Sequence, residues 1–184
     1  MLNKATVGGM EIDYSVVQRR IKYPRLELKT GSLILVVPTG FKNPEKLIDE
    51  HEDWIYKKIS VIKESQERSK EKTLNLERTD DELRVFLFST IDEYTRELNA
   101  NPNRVTLRKM KSKWGSCSSK KNMNFNKLLK YLPDELIQYV VFHEMTHLKE
   151  KKHGKEFWKI ISRTFTDYEE KEKDLMDYWF LIYQ

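Results

Sequence analysis

The apolar positions along this chain change their period part-way, and the change divides a strand-rich beginning from a helical remainder. Between Met10 and Arg19, Ile12, Tyr14, Val16 and Val17 fall among polar residues as on a half-buried strand. Leu26 and Leu28 alternate with charges in the same way. Thr30-Gly31-Ser32 signals a turn, and Leu33 to Val37 is a short apolar strand ended by Pro38. These segments predict an antiparallel meander. A helical period follows. Asn43 suits an N-cap and Pro44 the first helical position, and Leu47, Ile48, Trp54, Ile55, Ile59 and Ile62 form an apolar face to about Lys63. Glu64 to Lys72 is almost wholly polar and reads as a helix end with a linker.

A second helix is predicted from Asp80 or Asp81 to Leu98, faced by Leu83, Leu87, Ile91, Tyr94 and Leu98. Asn101-Pro102-Asn103 breaks it. Val105 and Leu107 mark a strand, Trp114 to Ser119 a turn or irregular loop, and Asn122 to Leu129 a further strand. Pro133 opens the next helix, with Asp134 and Glu135 where the helix dipole favours acids. Leu136, Ile137, Val140 and Val141 give that helix a strong apolar side, and it should reach about Lys149. A helix begins near Lys155 with Phe157, Trp158, Ile160 and Ile161, and the aromatic stretch Tyr178 to Tyr183 packs as another. The fold class is α+β. A meander-and-helix subdomain occupies residues 1–72 and a mainly helical core residues 73–184, unless the two form one continuous domain.

Composition adds limits. A chain of 184 residues, 39% hydrophobic and 34% charged, can bury a real core. No apolar run approaches the roughly 20 residues of a membrane span, and the N-terminus leads into no signal-peptide core. The single cysteine, Cys117, has no partner for an intramolecular disulfide, so a cytoplasmic location is expected. The net charge of +5 permits an acidic partner, including nucleic acid, without requiring one. Arg19, Arg20, Lys22, Arg25 and Lys29, with Tyr14 and Tyr23, could touch nucleic acid, but a solvated strand face is the plainer reading.

The chemistry concentrates at His143-Glu144-Met145-Thr146-His147. A helix turns about 100° per residue, so His143 and His147 stack on one face and can share one metal ion. Glu144 lies at the edge of that stripe, where it reaches a metal-bound water without being a ligand. A catalytic zinc needs three protein ligands and an open position. His153 is the third, and the chain must turn after about Lys149 to bring it back; Gly154 is consistent with that turn. Three of the four histidines thus serve one site, while His51 sits among charges and should simply be exposed. Zinc would lower the pKa of its water to about 7, and Glu144 would take the proton and return it to the leaving amine. Arg108, Tyr168 and Tyr178 are candidates to steady the tetrahedral oxygen.

Trp114-Gly115-Ser116-Cys117-Ser118, Pro133, Tyr139 to Leu148, His153 and Phe157-Trp158 together resemble the YgjP-like metallopeptidase domain family. The strand region and the Asp53-Trp54-Ile55 helix resemble that family's upstream part. The resemblance implies a zincin-like fold, a zinc site at His143, His147 and His153, a catalytic Glu144, and a protein or peptide substrate. The SprT and Wss-type proteases, which act on DNA-bound proteins, are similar more remotely. The histidine spacing equals that of the metzincin motif, but Glu150 stands where that motif has glycine and no Met-turn is identifiable.

Other features carry two readings. Trp114 and the loop after it can line a substrate groove, with Arg108 as a further substrate contact, or Trp114 can simply anchor a turn in the core. Cys117 is not needed as a ligand beside three histidines. Phe157 and Trp158 read as core rather than as a binding platform. An extended peptide is expected to add to a sheet edge, either Val105–Met110 or Asn122–Phe125. Lys109, Lys111 and Lys113 would favour acidic or nucleic-acid-bound substrates. The alternative to a zinc peptidase is a nucleic-acid-associated binding protein whose zinc is mainly structural.

Overall fold

A computed structural model describes residues 2–29 and 31–183. The chain divides into two compact units, one running to Glu71 and taking in Tyr183, the other spanning Lys72–Ile182. Among the described residues no helix is long and apolar enough to cross a membrane.

The first unit holds β1 (Asn3–Val7), β2 (Met10–Arg19), β3 (Arg25–Lys29), β4 (Ser32–Pro38), α1 (Lys46–Glu50) and α2 (Glu52–Ser69). Its sheet has the order β1-β2-β4-β3. The outer pairs are antiparallel, but β2 and β4 run parallel, so the expected meander is interrupted at its centre. β1 was not expected from the hydrophobic pattern. Its signal is Gly8-Gly9, both at positive φ as a two-residue hairpin turn requires. Thr30 of the expected turn lies outside the described residues. Ile12, Tyr14, Leu33 and Leu35 of the sheet cluster with Leu47, Ile48, Ile55 and Ile59 of the helices to form this unit's core.

The expected first helix is two. Asn43 has a left-handed φ of 52° and does not cap; α1 follows a short turn in which Lys46 and Leu47 bond back to Asn43 and Pro44. At His51 the ring Nδ1 lies 3.0 Å from the Leu47 carbonyl, the acceptor an unbroken helix would give to the His51 amide. That amide bonds instead to Ile48, and α2 starts afresh. α2 continues to Ser69 through the polar stretch read as a linker, because Ser65 and Ser69 extend its buried stripe with small side chains.

The second unit contains α3 (Asp80–Leu98), β5 (Arg104–Arg108), β6 (Gly115–Cys117), β7 (Asn122–Asn126), α4 (Asp134–Thr146), α5 (Lys155–Thr164) and α6 (Tyr168–Ile182). A capping box between Thr79 and Glu82 starts α3 where expected. The sheet order is β5-β7-β6, with β7 parallel to β5 and antiparallel to β6. β7 therefore ends at Asn126 in the middle of the sheet, and a 3-10 turn over Lys127–Tyr131 replaces the expected strand continuation. α4 ends at Thr146, earlier than Lys149, and α6 starts well before its aromatic stretch. α4 lies at the centre, against α3, β6, α5 and α6. Leu136, Ile137, Val141, Phe142 and Met145 of α4 join Leu83 and Leu87 of α3, Phe125 of β7 and Phe157 of α5 in one core.

Asn126 holds the approach to β6. Its side chain is fully buried. Its Nδ2 donates to the carbonyls of Met110 (3.0 Å) and Lys113 (2.8 Å), and its Oδ1 accepts from the amides of Met110 and Leu128. Its own amide donates to the Trp114 carbonyl at 2.8 Å. Removing the side-chain amide takes a partner from the backbone groups of Met110, Lys113 and Leu128. Asn126→Ala should lower stability by about 1–3 kcal/mol, measured by chemical denaturation followed through tryptophan fluorescence. A change below about 0.5 kcal/mol, the usual range for surface substitutions, would count against this role.

Candidate metal centre

Tyr139, His143 and His147 follow one another at four-residue intervals up one face of α4. α4 stops at Thr146, and the amides of Lys149 and Glu150 both bond to the Thr146 carbonyl, which turns the chain back. His153 returns from that turn. One nitrogen from each of His143, His147 and His153 lies within 4.8 Å of the others. The Nε2 atoms of His143 and His153 are 3.0 Å apart. Two nitrogens on one tetrahedral zinc sit about 3.3 Å apart, given zinc–nitrogen bonds of about 2.0–2.1 Å, so the cluster fits a metal ion of that size.

The ring environments also suit ligation. His147 Nδ1 faces the Glu150 carbonyl at 3.0 Å. A carbonyl only accepts, so Nδ1 carries the hydrogen and Nε2 keeps its lone pair. His153 is exposed, but its ring stacks on Trp158 at 5.8 Å, and Trp158 stacks in turn on Tyr168 at 5.0 Å. Phe157 is fully buried beneath all three imidazoles, with ring centroids 5.0, 4.8 and 4.6 Å from His143, His147 and His153. Phe157 is thus core, as expected, and also the floor of the centre. Burial, followed by the neighbouring imidazoles, pushes the His147 and His153 pKa values down. The rings therefore favour the neutral form that binds a cation.

Glu144 is 7% exposed, buried beside this cluster. Burial raises its pKa to about 7, against the opposing influence of His143 and Lys113. It faces a cleft of ≈ 400 Å³ lined by Lys113, Gly115 to Ser119, the three histidines and Lys151. Behind it a smaller cavity of ≈ 140 Å³ is lined by Trp114, Tyr139, Val140, Glu172 and Leu175. Tyr139 Oη donates to Glu172 Oε1 at 2.6 Å, and the same oxygen is 3.5 Å from His143 Nδ1. Burial works against an ionised Glu172, but its contacts with His143 and Tyr139 prevail and hold its pKa below the usual carboxylate value.

The other expected site residues separate. Trp114 lines the smaller cavity and is also anchored: its indole N–H donates to the Leu175 carbonyl at 3.2 Å and its ring meets Trp179 edge-on. Trp114 thus anchors its turn to α6 and also lines the smaller cavity. Arg108 ends β5, on the edge of the sheet opposite β6, and lines neither cavity. Tyr178 is buried in the core, and Tyr168 supports Trp158; neither lines the cleft. Cys117 lines it without joining the metal set. Lys113 reaches the cleft, whereas Lys109 and Lys111 do not. The sheet edge also differs from expectation. Of the two expected edges, the strand of Val105 is an edge, β5, but lines neither cavity, whereas Asn122–Phe125 belongs to central β7, paired on both sides; the edge beside the histidines is β6. In the N-terminal basic cluster, Tyr14 is buried and Glu27 pairs with Arg19 and Arg25, whereas Arg20, Lys22 and Tyr23 are exposed. Glu172 and Tyr139 were not foreseen. Tyr139 shares the histidine face of α4, which is the signal that points to it.

Three imidazoles converging on one point, with a buried carboxylate beside them on the same helix, define a metal-dependent hydrolase centre. The chain belongs to the YgjP-like metallopeptidase domain family, whose model matches residues 77–178. It is accordingly a metal-dependent peptidase acting on protein or peptide. No curated protein matches the sequence. Among solved structures it is similar to the metallopeptidase zymogen jannalysin of Methanocaldococcus jannaschii, at 30% identity, covering 48% of this chain and 84% of that one with a TM-score of 0.43. It is also similar to the metallopeptidase zymogen abylysin of Pyrococcus abyssi, at 21% identity, 49% and 91% coverage and a TM-score of 0.45.

Gly115 marks how closely β6 approaches α4. A Cβ there would stand 2.7 Å from Glu144 Cγ and 2.9 Å from its Oε1. The obstacle is a side chain that can move, so the cost should fall on position rather than on folding. Gly115→Ala should keep its melting temperature but lose on the order of tenfold to a hundredfold in kcat/KM, the effect expected when a side chain facing the cleft is displaced. Unchanged peptidase kinetics in this variant would show that Glu144 tolerates displacement.

Proposed function

We propose that His143, His147 and His153 bind a zinc ion and that Glu144 is the general base and acid of peptide-bond hydrolysis. The observation that carries this is the convergence of the three ring nitrogens within 4.8 Å beside a carboxylate buried against β6. An all-imidazole donor set suits zinc among the divalent ions. Bound there, zinc supplies Lewis acidity and lowers the pKa of a water molecule to about 7. Glu144 accepts the proton of the attacking water at a carboxylate oxygen and passes it to the leaving amine nitrogen. Gly115 leaves room for that carboxylate, and Phe157 keeps water from the far side of the imidazoles.

The substrate lies as an extended segment along the free edge of β6, by strand addition. β6 supports this reading because it is an edge strand and lines the cleft with the histidines. Lys113 and Lys151 flank the same cleft. All of these groups fall within residues 73–184, which we assign as the zincin-like catalytic domain, with residues 1–72 as an appended subdomain. The free thiol of Cys117 fits a cytoplasmic setting.

Metal content and cleavage of a broad peptide mixture test the assignment together. Glu144→Gln should retain near-stoichiometric zinc and lose at least about a hundredfold to ten-thousandfold in rate, the usual contribution of a positioned acid–base group. His147→Ala should lose the metal, and a chelator should abolish wild-type activity until zinc is restored. Full activity in Glu144→Gln would remove the base assignment. A wild-type protein that holds zinc, cleaves nothing and binds DNA with a steep salt dependence would instead be the structural-zinc binding protein.

A further inference from the structure

We infer that Glu172, held by Tyr139, is a positioning residue that fixes the orientation and tautomer of His143 for metal binding. The inference rests on the assignment of His143 as a ligand and concerns groups outside the ligand set. One carboxylate oxygen, Glu172 Oε1, faces two groups on successive turns of α4. It accepts from Tyr139 Oη at 2.6 Å and lies 3.5 Å from His143 Nδ1. The second distance is an electrostatic contact rather than a full hydrogen bond, but its direction is informative. An ionised carboxylate accepts only, so it favours the hydrogen on Nδ1 and leaves the Nε2 lone pair free. That Nε2 is the atom 3.0 Å from His153 Nε2. Glu172 stands on the opposite side of the ring, where it supports the ligand and does not join the set.

Tyr139 makes the carboxylate a fixed point. Its side chain is fully buried and its ring meets Phe165 edge-on at 5.4 Å, so its hydroxyl cannot follow a wandering partner. Glu172 itself is partly open to solvent, with a side-chain exposure of 45%. Without the hydroxyl, a carboxylate so exposed would choose among rotamers, and His143 with it. His147 obtains the same orientation from the Glu150 carbonyl, a backbone group that needs no second support. A ligand imidazole oriented by an acceptor on its other nitrogen typically loses ten- to a hundredfold in metal affinity when that acceptor is removed.

The test is a zinc titration of metal-free protein against a competing chelator, with circular dichroism and the metal-free melting temperature recorded for each variant. Glu172→Ala should weaken zinc binding about ten- to a hundredfold with the metal-free melting temperature unchanged. Tyr139→Phe should weaken it less, and the double variant no more than Glu172→Ala alone. Glu172→Gln, which keeps an acceptor for Nδ1–H, should recover most of the loss; a carboxylate acting as a ligand would not be replaced by an amide. Zinc binding by Glu172→Ala within twofold of wild type, while His143→Ala abolishes it, overturns the positioning role and leaves the metal site standing. Unchanged binding in His143→Ala overturns the ligand assignment itself, and the positioning role falls with it.

Discussion

A helix at the centre of a core has little surface left for chemistry. α4 is packed on several sides at once, by α3, β6, α5 and α6, and buries Leu136, Ile137, Val141, Phe142 and Met145 around its circumference. What escapes is a narrow stripe through His143 and His147. That constraint decides the rest of the second unit. The histidines are rigid because the residues between them are fixed by packing, and close packing makes each such position costly to move. The helix must also stop by His147, since a further turn would carry the chain away from the position His153 takes beside the other two imidazoles. The Thr146 carbonyl ends it by accepting from both Lys149 and Glu150.

The three imidazoles are oriented by three different means. His147 uses the carbonyl of the turn that follows it, His143 faces a carboxylate from α6, and His153 stacks on an indole from α5. Phe157 closes the space beneath them all. The turn that brings His153 back therefore also orients His147, through Glu150. Its residue type matters little there, because only the main chain is used. Glu150 does not have a positive φ, so glycine is not required where the metzincin motif has it.

Much of the centre was legible in the sequence because a helix converts spacing into direction. His143, Glu144 and His147 needed only the 3.6-residue period, and His153 only the inference of a turn. The starts of α3 and α5 were equally local. What failed to be legible depended on pairing between distant segments. The hydrophobic alternation of β2 and β4 is the same whether they run parallel or antiparallel, so the interrupted meander could not be read from it. Asn122–Phe125 was one of two edge candidates, yet Asn124 lies opposite Thr106 and Ser116 inside the sheet. Arg108 is near the loop in sequence but ends a strand on the far edge. Glu172 was invisible for the opposite reason: it is one acid among several on α6, and only the tertiary placement of Tyr139 distinguishes it.

The edge strand brings two demands into conflict. A peptidase that takes its substrate as an added strand must keep a sheet edge unpaired beside its metal, and an unpaired edge invites pairing with any extended chain, including a second copy. On the proposed strand addition, β6 reconciles the two demands by being short. It has only three residues, Gly115–Cys117. Trp114, just before it, is pinned to α6 through Leu175. Just after it, the Ser118–Lys121 turn closes as the Lys121 amide donates to the Ser118 carbonyl and the Asn122 amide to the Ser118 hydroxyl, with Lys121 at a left-handed φ of 60°. Lys113 and Lys120 bracket the segment with positive charge, a common way of discouraging edge-to-edge association. A three-residue edge offers few backbone bonds to any extended chain, a second copy included.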